Sequence, residues 1–246
     1  MTSYETRLQG REEIAEGTMA LRFEKPDGFR FKPGQAIDLV LPDASDTSDT
    51  SGSDASSARH TFSIVSAPFQ DELVFATRMR DSVYKRALGA LAIGTQVKLE
   101  GPSGSLTLHN DRARAALFIA GGIGITPFMS ILRQAAHDQL PQQLLLLYSN
   151  RRPEDAAFLA ELQQLAQQHS SFRLIATMTG MGKSARPWDG ETGAIDERLL
   201  RKTCAGLAAP ICYLAGPPTM VEALRQTLGD AGVNDDNIRS EEFYGY

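Results

Sequence analysis

The chain has 246 residues, of which 42% are hydrophobic and 22% are charged, and its formal net charge at pH 7 is −5. This length allows one large domain or two small ones, and the composition is that of an ordinary soluble globular protein. The acidic balance does not favour nucleic acid or an anionic membrane as a partner. No apolar run approaches the ~18–20 residues that span a bilayer, so we expect no membrane span.

The two cysteines, Cys204 and Cys212, are too few for a four-thiolate zinc or iron–sulfur site, and we predict no metal. Both lie in or beside apolar stretches, which favours buried thiols over a disulfide. The N-terminus has no basic-then-apolar signal pattern. These features predict a cytoplasmic protein.

The first half of the chain predicts short strands between residues 5 and 40, with clear apolar–polar alternation at 19–23 and 36–40. Residues 43–58 are a low-complexity run of Asp, Ser, Thr, Gly and Ala, and we expect a flexible loop there. A strand then begins at Arg59 and ends at a proline.

A further alternating strand is predicted at 72–80, followed by a helix that Asp81 and Ser82 cap and that ends near Leu91. Its N-terminus can offer amides to a phosphate, with Lys85 in the first turn. The alternative is a solvated basic surface formed by the basic residues here, Arg78, Arg80, Lys85 and Arg86. A strand at 97–100 and a Gly-Pro-Ser-Gly turn at 101–104 follow, and this half predicts a small antiparallel barrel.

From about residue 113 strands and helices alternate, which predicts an α/β domain with an open, doubly wound parallel sheet. The predicted strands cover 115–120, 144–148, 172–178, 211–215 and 238–243. The predicted helices begin at Pro127, at Asp155 and at a capping box that starts at Thr219. The helix that begins at Asp155 is predicted to end at His169. Residues 180–193 are predicted to form a loop.

A glycine-rich turn separates the first of these strands from its helix. The turn and helix start are formed by Gly121, Gly122, Gly124, Thr126 and Pro127. Thr126 suits the helix cap and Pro127 the first helical position. Bare amides at a helix N-terminus above a parallel sheet form an anion site, and phosphate is the obvious anion. The alternative is a turn that only packs strand against helix.

This turn, Gly-Gly-x-Gly-x-Thr-Pro, resembles the nicotinamide-nucleotide loop of the ferredoxin–NADP reductase superfamily. Phe31–Gln35 looks like the F-x-x-G-Q entry to a barrel strand of that superfamily. Phe62 and Ser63 match its flavin signature R-x-[YF]-S, although His60 occupies the arginine position and Arg59 lies one residue early. A slip of one residue on a strand moves a side chain to the other face.

Three more motifs occur in the expected order. The Gly-Pro-x-Gly at 101–104 resembles the turn that closes the flavin barrel. Ala215–Met220 looks like the C-G-P-x-x-M motif, with Ala215 in place of a cysteine near the nicotinamide. Glu241–Phe243 matches the E-x-F near the end of many members.

The resemblance implies two domains: an FAD-binding antiparallel β-barrel at 1–111 and an NAD(P)-binding α/β domain at 112–246. It implies catalytic roles for Ser63, which hydrogen-bonds flavin N5, and Glu241. Cofactor-binding roles are implied for Arg59, His60, Thr61, Phe62, Ser63, Arg78, Ser82, Lys85, Gly121, Gly122, Gly124, Thr126, Pro127, Gly216, Pro217 and Phe243.

The function that the resemblance implies is an FAD-dependent oxidoreductase that takes hydride from NAD(P)H. Its electrons pass to a separate acceptor, a ferredoxin-like protein or a small molecule, and we expect a monomer. The alternatives are an NAD(P)H-dependent flavin or ferric reductase and a non-catalytic, flavin-based redox-sensing subunit. The choice between NAD and NADP is open, and the basic candidates for a 2′-phosphate are Arg151, Arg152, Lys183 and Arg186.

The chain ends Phe243-Tyr244-Gly245-Tyr246. Aromatic side chains carry large apolar faces, so we expect these rings to be covered. One ring, Phe243 or Tyr246, could lie over the flavin or its adenine. The alternative is that the rings only anchor the last strand.

Overall fold

A computed structural model describes residues 2–42, 59–207 and 209–244. The expected flexible loop at 43–58 lies outside these residues. Among the helices of the described ranges, none is long and apolar enough to cross a membrane.

The first half of the chain forms an antiparallel sheet whose strands lie in the order β4-β3-β6-β1-β2-β5. A single bridge between Ile64 and Phe75 joins its two edges and closes the barrel. Its elements are β1 (Ser3–Ala15), β2 (Thr18–Glu24), β3 (Ala36–Val40), β4 (Arg59–Ser63), β5 (Glu72–Arg78), α1 (Val83–Ala90) and β6 (Gln96–Ser103). The predicted strands and the helix after Ser82 are confirmed.

Alternation along β5 separates two environments. Leu73 and Phe75 point into the barrel core, whereas Ala76 and the half-buried Val74 pack against the core of the second half. Successive side chains of a strand face opposite ways, so one strand serves both cores. This parity decides which site a residue at the end of β5 can reach.

The second half forms a parallel sheet in the order β10-β9-β8-β7-β11-β12. Its strands are β7 (Ala116–Gly121), β8 (Leu144–Asn150), β9 (Phe172–Met178), β10 (Glu191–Thr192), β11 (Ile211–Gly216) and β12 (Ile238–Glu242). Its helices are α2 (Thr126–His137), α3 (Leu159–Gln168), α4 (Glu197–Cys204) and α5 (Pro218–Asp230). The predicted two-domain fold class, a barrel followed by a doubly wound sheet, is confirmed.

Strand β7 lies between β8 and β11, and the helices that follow β7 and β11 cover opposite faces of the sheet. Phe128 of α2 packs in the core on one face, and Leu224 of α5 packs in the core on the other. A crevice opens where two such neighbours diverge, at the carboxyl ends of their strands. The glycine turn after β7 and Gly216 at the end of β11 therefore meet at this crevice.

Several predicted boundaries are wrong for local reasons. Helix α3 begins at Leu159, after the predicted start, because Asp155 is held in a short 3₁₀ turn by Arg152 and Phe158 adopts a left-handed φ of 60°. Residues 101–103 belong to β6, so the predicted turn there is wrong.

Three helix starts also differ from the sequence prediction. We did not predict α4, whose cap is Asp196; its carboxylate accepts a hydrogen bond from the Leu199 amide at 2.7 Å. Helix α5 begins at Pro218 without a side-chain cap, so the predicted capping box at Thr219 does not form. Thr126 is the first residue of α2 and is not its cap.

Candidate functional site

The glycine turn after β7 is pressed against the end of β11. A side chain at Gly124 would collide with the backbone of Ala215, and one at Gly121 would meet Met220 Sδ at 2.5 Å. Gly122 has a φ of 53°, a left-handed conformation that favours glycine. Each of the three positions therefore requires glycine for a structural reason. The alternative interpretation, a turn that only packs strand against helix, accounts for Gly121 and Gly124.

A short 3₁₀ turn at Gly122–Ile125 leads from the glycines into α2. The Thr126 hydroxyl donates to the Ile123 carbonyl at 3.0 Å, and Pro127 occupies the second helical position. Gly122 and Ile123 are half-buried, so their backbone remains accessible at the crevice. This accessible backbone is where a phosphate can approach.

Ser63 lies at the end of β4, where the barrel meets the second half of the chain. The residue is 4% exposed, and its hydroxyl has no hydrogen-bond partner among the described residues. A buried hydroxyl without a partner is costly, because it has given up its bonds to water. This orphaned group fits a bound ligand that accepts or donates a hydrogen bond here.

On the other face of β4, His60 and Phe62 pack around α1. The His60 ring lies 4.1 Å from the Tyr84 ring, and Lys85 Nζ lies 4.7 Å from the centre of the Phe62 ring. Phe62 is only 7% exposed. The predicted stacking of Phe62 on a flavin stays a prediction, because Lys85 covers the ring in this structure.

Arg59 lies on the opposite face of β4 from His60. Its guanidinium pairs with Asp38 and, at 2.9 Å, with Glu100 Oε2. Thr61 lies on the same face, where its hydroxyl also donates to Asp38. Burial alone would raise the pKa of Asp38, but hydrogen bonds from Thr61 and Arg59 outweigh it and lower that pKa. The Arg59 guanidinium, to which the resemblance assigns a phosphate role, therefore points away from α1. His60 is the residue on the α1 side.

Helix α1 presents a polar N-terminus beside this cluster. Ser82 caps the helix as predicted, its hydroxyl accepting from the Lys85 amide at 3.2 Å. The Lys85 ammonium donates to the Thr77 hydroxyl. Burial lowers the pKa of Lys85 to about 8 and also lowers the pKa of His60, to which the nearby Lys85 charge contributes. Ser82, His60 and Lys85 are therefore the groups that a phosphate at this end of the barrel can use.

The Lys85 pKa predicts two opposite pH trends for the flavin-free protein. Because the folded pKa of about 8 lies below the ordinary value of 10.5, the unfolded chain binds more protons between them, so stability should rise with pH in this range. Affinity for FAD should fall over the same range, because a neutral amine no longer attracts a pyrophosphate. Denaturant titration and FAD binding at pH 7.5 and 10 measure both slopes. Lys85→Met should flatten both, and equal slopes in wild type and variant would refute the role of Lys85.

Arg78 and Lys85 lie on opposite sides of β5. Thr77 faces Lys85, whereas Arg78 faces the second half of the chain. There it lines a cavity of about 710 Å³ with Arg151, Arg152 and Lys183. This cavity lies at the ends of β8 and β9, and the predicted flavin-binding role of Arg78 stays a prediction.

The charge of this cavity is only partly neutralised. Arg152 is committed to Asp155 at 2.9 Å and to Glu16 at 2.7 Å. The hydrogen bond from Arg152 lowers the pKa of Asp155, and the charge of Arg78 contributes. Among the described residues, Arg78, Arg151 and Lys183 form no salt bridge. Three uncommitted cations thus converge on one cavity from both halves of the chain.

Asn150 ends β8 directly before Arg151. It is 5% exposed, and neither atom of its side-chain amide has a partner among the described residues. Sequence analysis did not single out Asn150 as a site residue, because an asparagine at a strand end is common in turns. Its unused donors and acceptor add to the polar groups at this edge.

The last strand brings the C-terminal segment back to the crevice. The Phe243 amide donates to the Gly216 carbonyl at 2.9 Å, and the Phe243 ring is half-buried. Glu241 lies beside Ala215 in the sheet, and burial raises its pKa. Tyr244 is 80% exposed, so the expectation that all the terminal rings are covered is wrong for this residue. Tyr246 lies outside the described residues, and Pro217 follows Gly216 at the same edge.

Comparison with known proteins agrees with this geometry. The oxidoreductase NAD-binding domain family matches residues 118–226. The reductase component of propane 2-monooxygenase from Mycolicibacterium smegmatis is 29% identical over 97% of this chain and 67% of its own. Ferredoxin–NADP reductase B from Sorangium cellulosum is 28% identical over 98% of this chain and 97% of its own.

The chain is thus similar to a ferredoxin–NADP reductase and to an oxygenase reductase component over nearly its whole length. Solved structures agree in fold. A ferredoxin–NADP⁺ reductase from Neisseria gonorrhoeae superposes with a TM-score of 0.78 at 23% identity and covers 98% of both chains. The Amycolatopsis cytochrome P450 reductase GcoB superposes with a TM-score of 0.81 at 22% identity, over 98% of this chain and 70% of its own.

Proposed function

We propose that this chain is an FAD-dependent oxidoreductase that takes hydride from NAD(P)H and passes electrons to a separate acceptor. The observation that carries the proposal is the buried hydroxyl of Ser63, which has no hydrogen-bond partner among the described residues and lies where the barrel meets the glycine-turn domain. The relatives named above are reductases, and the reaction class predicted from the sequence is confirmed at this level.

FAD, when bound, accepts hydride from NAD(P)H and releases electrons to the acceptor. The chain supplies binding and orientation. Ser63 offers a hydroxyl at the reacting edge, and Ser82, His60 and Lys85 hold the phosphates at the far end of the barrel. The backbone of Gly122–Ile125 takes the dinucleotide pyrophosphate. Ala215, which replaces a cysteine, leaves no thiol beside the nicotinamide, so we expect an altered rate without loss of function.

Anaerobic titration separates this function from its alternatives. The purified protein should be yellow, should keep its flavin on gel filtration, and should be bleached within seconds by NADH or NADPH. Loss of flavin on the column favours a flavin or ferric reductase that uses flavin as a substrate. A yellow protein that neither nucleotide bleaches favours a redox-sensing subunit and contradicts the proposal.

The basic cavity between the two halves favours NADPH as the donor. A 2′-phosphate needs basic groups at the adenosine end, and charge-assisted hydrogen bonds contribute ~1.5–3 kcal/mol each. Of the basic residues that line this cavity, Arg78, Arg151 and Lys183 form no salt bridge with the described part of the chain, whereas Arg152 does. Arg186, the fourth sequence candidate, lines a different groove beside α3.

Charge removal in this cavity should act on NADPH alone. Arg151→Gln combined with Lys183→Gln should raise the KM for NADPH by roughly 10- to 100-fold and leave that for NADH unchanged. Arg186→Gln is the matched control and should change neither value. An equal increase in the KM for NADPH and NADH would show that the cavity does not recognise the 2′-phosphate.

The acceptor, a ferredoxin-like protein or a small molecule, stays a proposal. The chain spans about two thirds of the propane monooxygenase reductase and nearly all of ferredoxin–NADP reductase B. The boundary at residues 111 and 112, which falls between β6 and β7, also stays a prediction, as does the monomeric state. A cytoplasmic location is supported by Cys204 and Cys212, which are free thiols.

A further inference from the structure

Two side chains of α2 hold the segment that directly follows Ser63. The Ser130 hydroxyl donates to the Ser66 carbonyl at 2.7 Å. Arg133 Nη1 donates to the Val65 carbonyl at 3.0 Å. Ser130, Ser66 and Val65 are all fully buried, so these bonds are shielded from water. We call these two contacts the α2 clamp.

The same segment is fixed from the barrel side. The Val65 amide donates to the Val74 carbonyl at 2.8 Å, and the Val74 amide donates to the Ser66 hydroxyl at 3.0 Å. Strand β5 therefore holds one side of the segment while α2 holds the other. Backbone fixed on both sides at Val65 and Ser66 leaves little freedom to relocate Ser63, two residues earlier.

Arg133 is itself held in place. Its Nε and Nη2 donate to the two carboxylate oxygens of Glu161 on α3, each at 2.7 Å, and its guanidinium lies 5.5 Å from the centre of the Phe158 ring. Its side chain is 15% exposed. A bidentate arginine keeps a fixed orientation, which leaves Nη1 aimed at Val65.

Helix α2 connects this clamp to the dinucleotide turn. It begins at Thr126, directly after the 3₁₀ turn at Gly122–Ile125. Ser130 follows about one helical turn later, a rise of roughly 6 Å, and Arg133 lies nearly one turn beyond. One rigid helix therefore carries the nucleotide turn at its start and grips the barrel segment next to Ser63 one turn further on.

We propose that Ser130 and Arg133 are positioning residues for hydride transfer: the α2 clamp sets Ser63 at a fixed distance and angle from the dinucleotide turn. This inference rests on the proposed function. Neither side chain was a candidate from sequence, because both look like ordinary residues of an amphipathic helix. Misplacement of a reacting group by about 1 Å can slow a reaction up to ~100-fold, so this geometry matters.

The test compares Ser130→Ala, Arg133→Met and Arg133→Lys in the holoprotein and after flavin removal. Both truncations should keep FAD and leave the nucleotide Kd within a factor of about two, while the rate of FAD reduction at saturating nucleotide falls roughly 10- to 100-fold. Arg133→Lys can still reach one carbonyl and should recover part of the rate. Without flavin, amide hydrogen exchange at residues 64–67 should accelerate in both truncations.

Lys25→Met is the matched control. Lys25 Nζ donates to the Pro68 carbonyl at 2.6 Å and to the Gln70 carbonyl at 3.0 Å, in the same loop but beyond the clamp. This variant should accelerate amide exchange at Phe69 and Gln70 without changing the rate of FAD reduction. Glu161→Gln, which leaves the bond from Arg133 to Val65 available, should have a smaller effect than Arg133→Met.

The outcomes are separable. Suppose that Ser130→Ala or Arg133→Met melts at a lower temperature but its FAD is reduced within twofold of the wild-type rate. The clamp is then only structural, and the inference fails. An equal rate loss in Lys25→Met also overturns it. If Arg133→Met does not fold, the smaller change Ser130→Ala decides by the same readouts. A wild-type protein that no nucleotide reduces refutes the proposed function and not the clamp, which hydrogen exchange still measures.

Discussion

Gly124→Val should destabilise the second half of the chain by at least ~3 kcal/mol and abolish reduction of the protein by NAD(P)H. The reason is local. A Cβ at this position would collide with the Ala215 carbonyl oxygen and approach the Gly216 amide at 2.7 Å. Both atoms belong to the backbone at the end of β11, which is paired with β7 and β12. Neither can move without breaking the sheet.

Thermal melting and flavin content measure this outcome. Gly229→Val makes the same substitution at an exposed glycine of α5 that has open space around it, and it should leave both nearly unchanged. A side chain at Gly124 would also stand where a phosphate is expected to approach the turn, but it should first disrupt the junction of β7 and β11. A stable variant that has lost only its flavin would show that the two nucleotide sites are assigned to the wrong halves.

Local pattern was enough to predict the elements that form the site. Alternation predicted β2 and β3, the glycines predicted the turn after β7, and Ser82 predicted the cap of α1. These features depend on neighbours in the chain, so the sequence contains them. The order of motifs along the chain then predicted the two-domain fold.

The side of a strand on which each charge lies was harder to predict. Arg59 follows the right motif but faces Asp38, whereas His60 faces α1. The sequence placed Arg78 and Lys85 in one basic cluster, but the side chain of Arg78 on β5 faces the other half of the chain. A difference of one residue in position decides such cases, and only the register of the folded sheet fixes it.

Contacts between the two halves could not be predicted at all. Ser130 and Arg133 bind carbonyls some 65 residues earlier in the chain, at Ser66 and Val65. No local pattern encodes such a pair, because any carbonyl can accept from any donor that packing brings near. The same holds for Asn150: only the folded structure shows that its side-chain amide is buried and has no partner in the described part of the chain.

Ser63→Ala should produce a combination of effects that an ordinary core mutation does not. The rate of FAD reduction should fall roughly 10- to 100-fold, the effect of losing one hydrogen bond worth ~1.5–3 kcal/mol in the transition state. FAD should stay bound. The flavin-free protein should be as stable as the wild type or more stable, because the hydroxyl has no partner among the described residues. Removing an unsatisfied buried group relieves its desolvation cost.

Thr203→Val is the control for this experiment. Thr203 is 1% exposed, and its hydroxyl also has no partner within the described ranges, but it lies on α4, against the sheet face opposite α2. The Thr203→Val variant should be as stable as the wild type or more stable, like Ser63→Ala, and its FAD should be reduced at the wild-type rate. Stopped-flow reduction at saturating nucleotide, together with denaturation of the flavin-free proteins, measures both quantities. If Ser63→Ala is reduced as fast as Thr203→Val, its hydroxyl takes no part in hydride transfer. If the flavin-free Ser63→Ala loses stability, the hydroxyl has a partner in the protein, and its availability to the flavin no longer supports the proposed function.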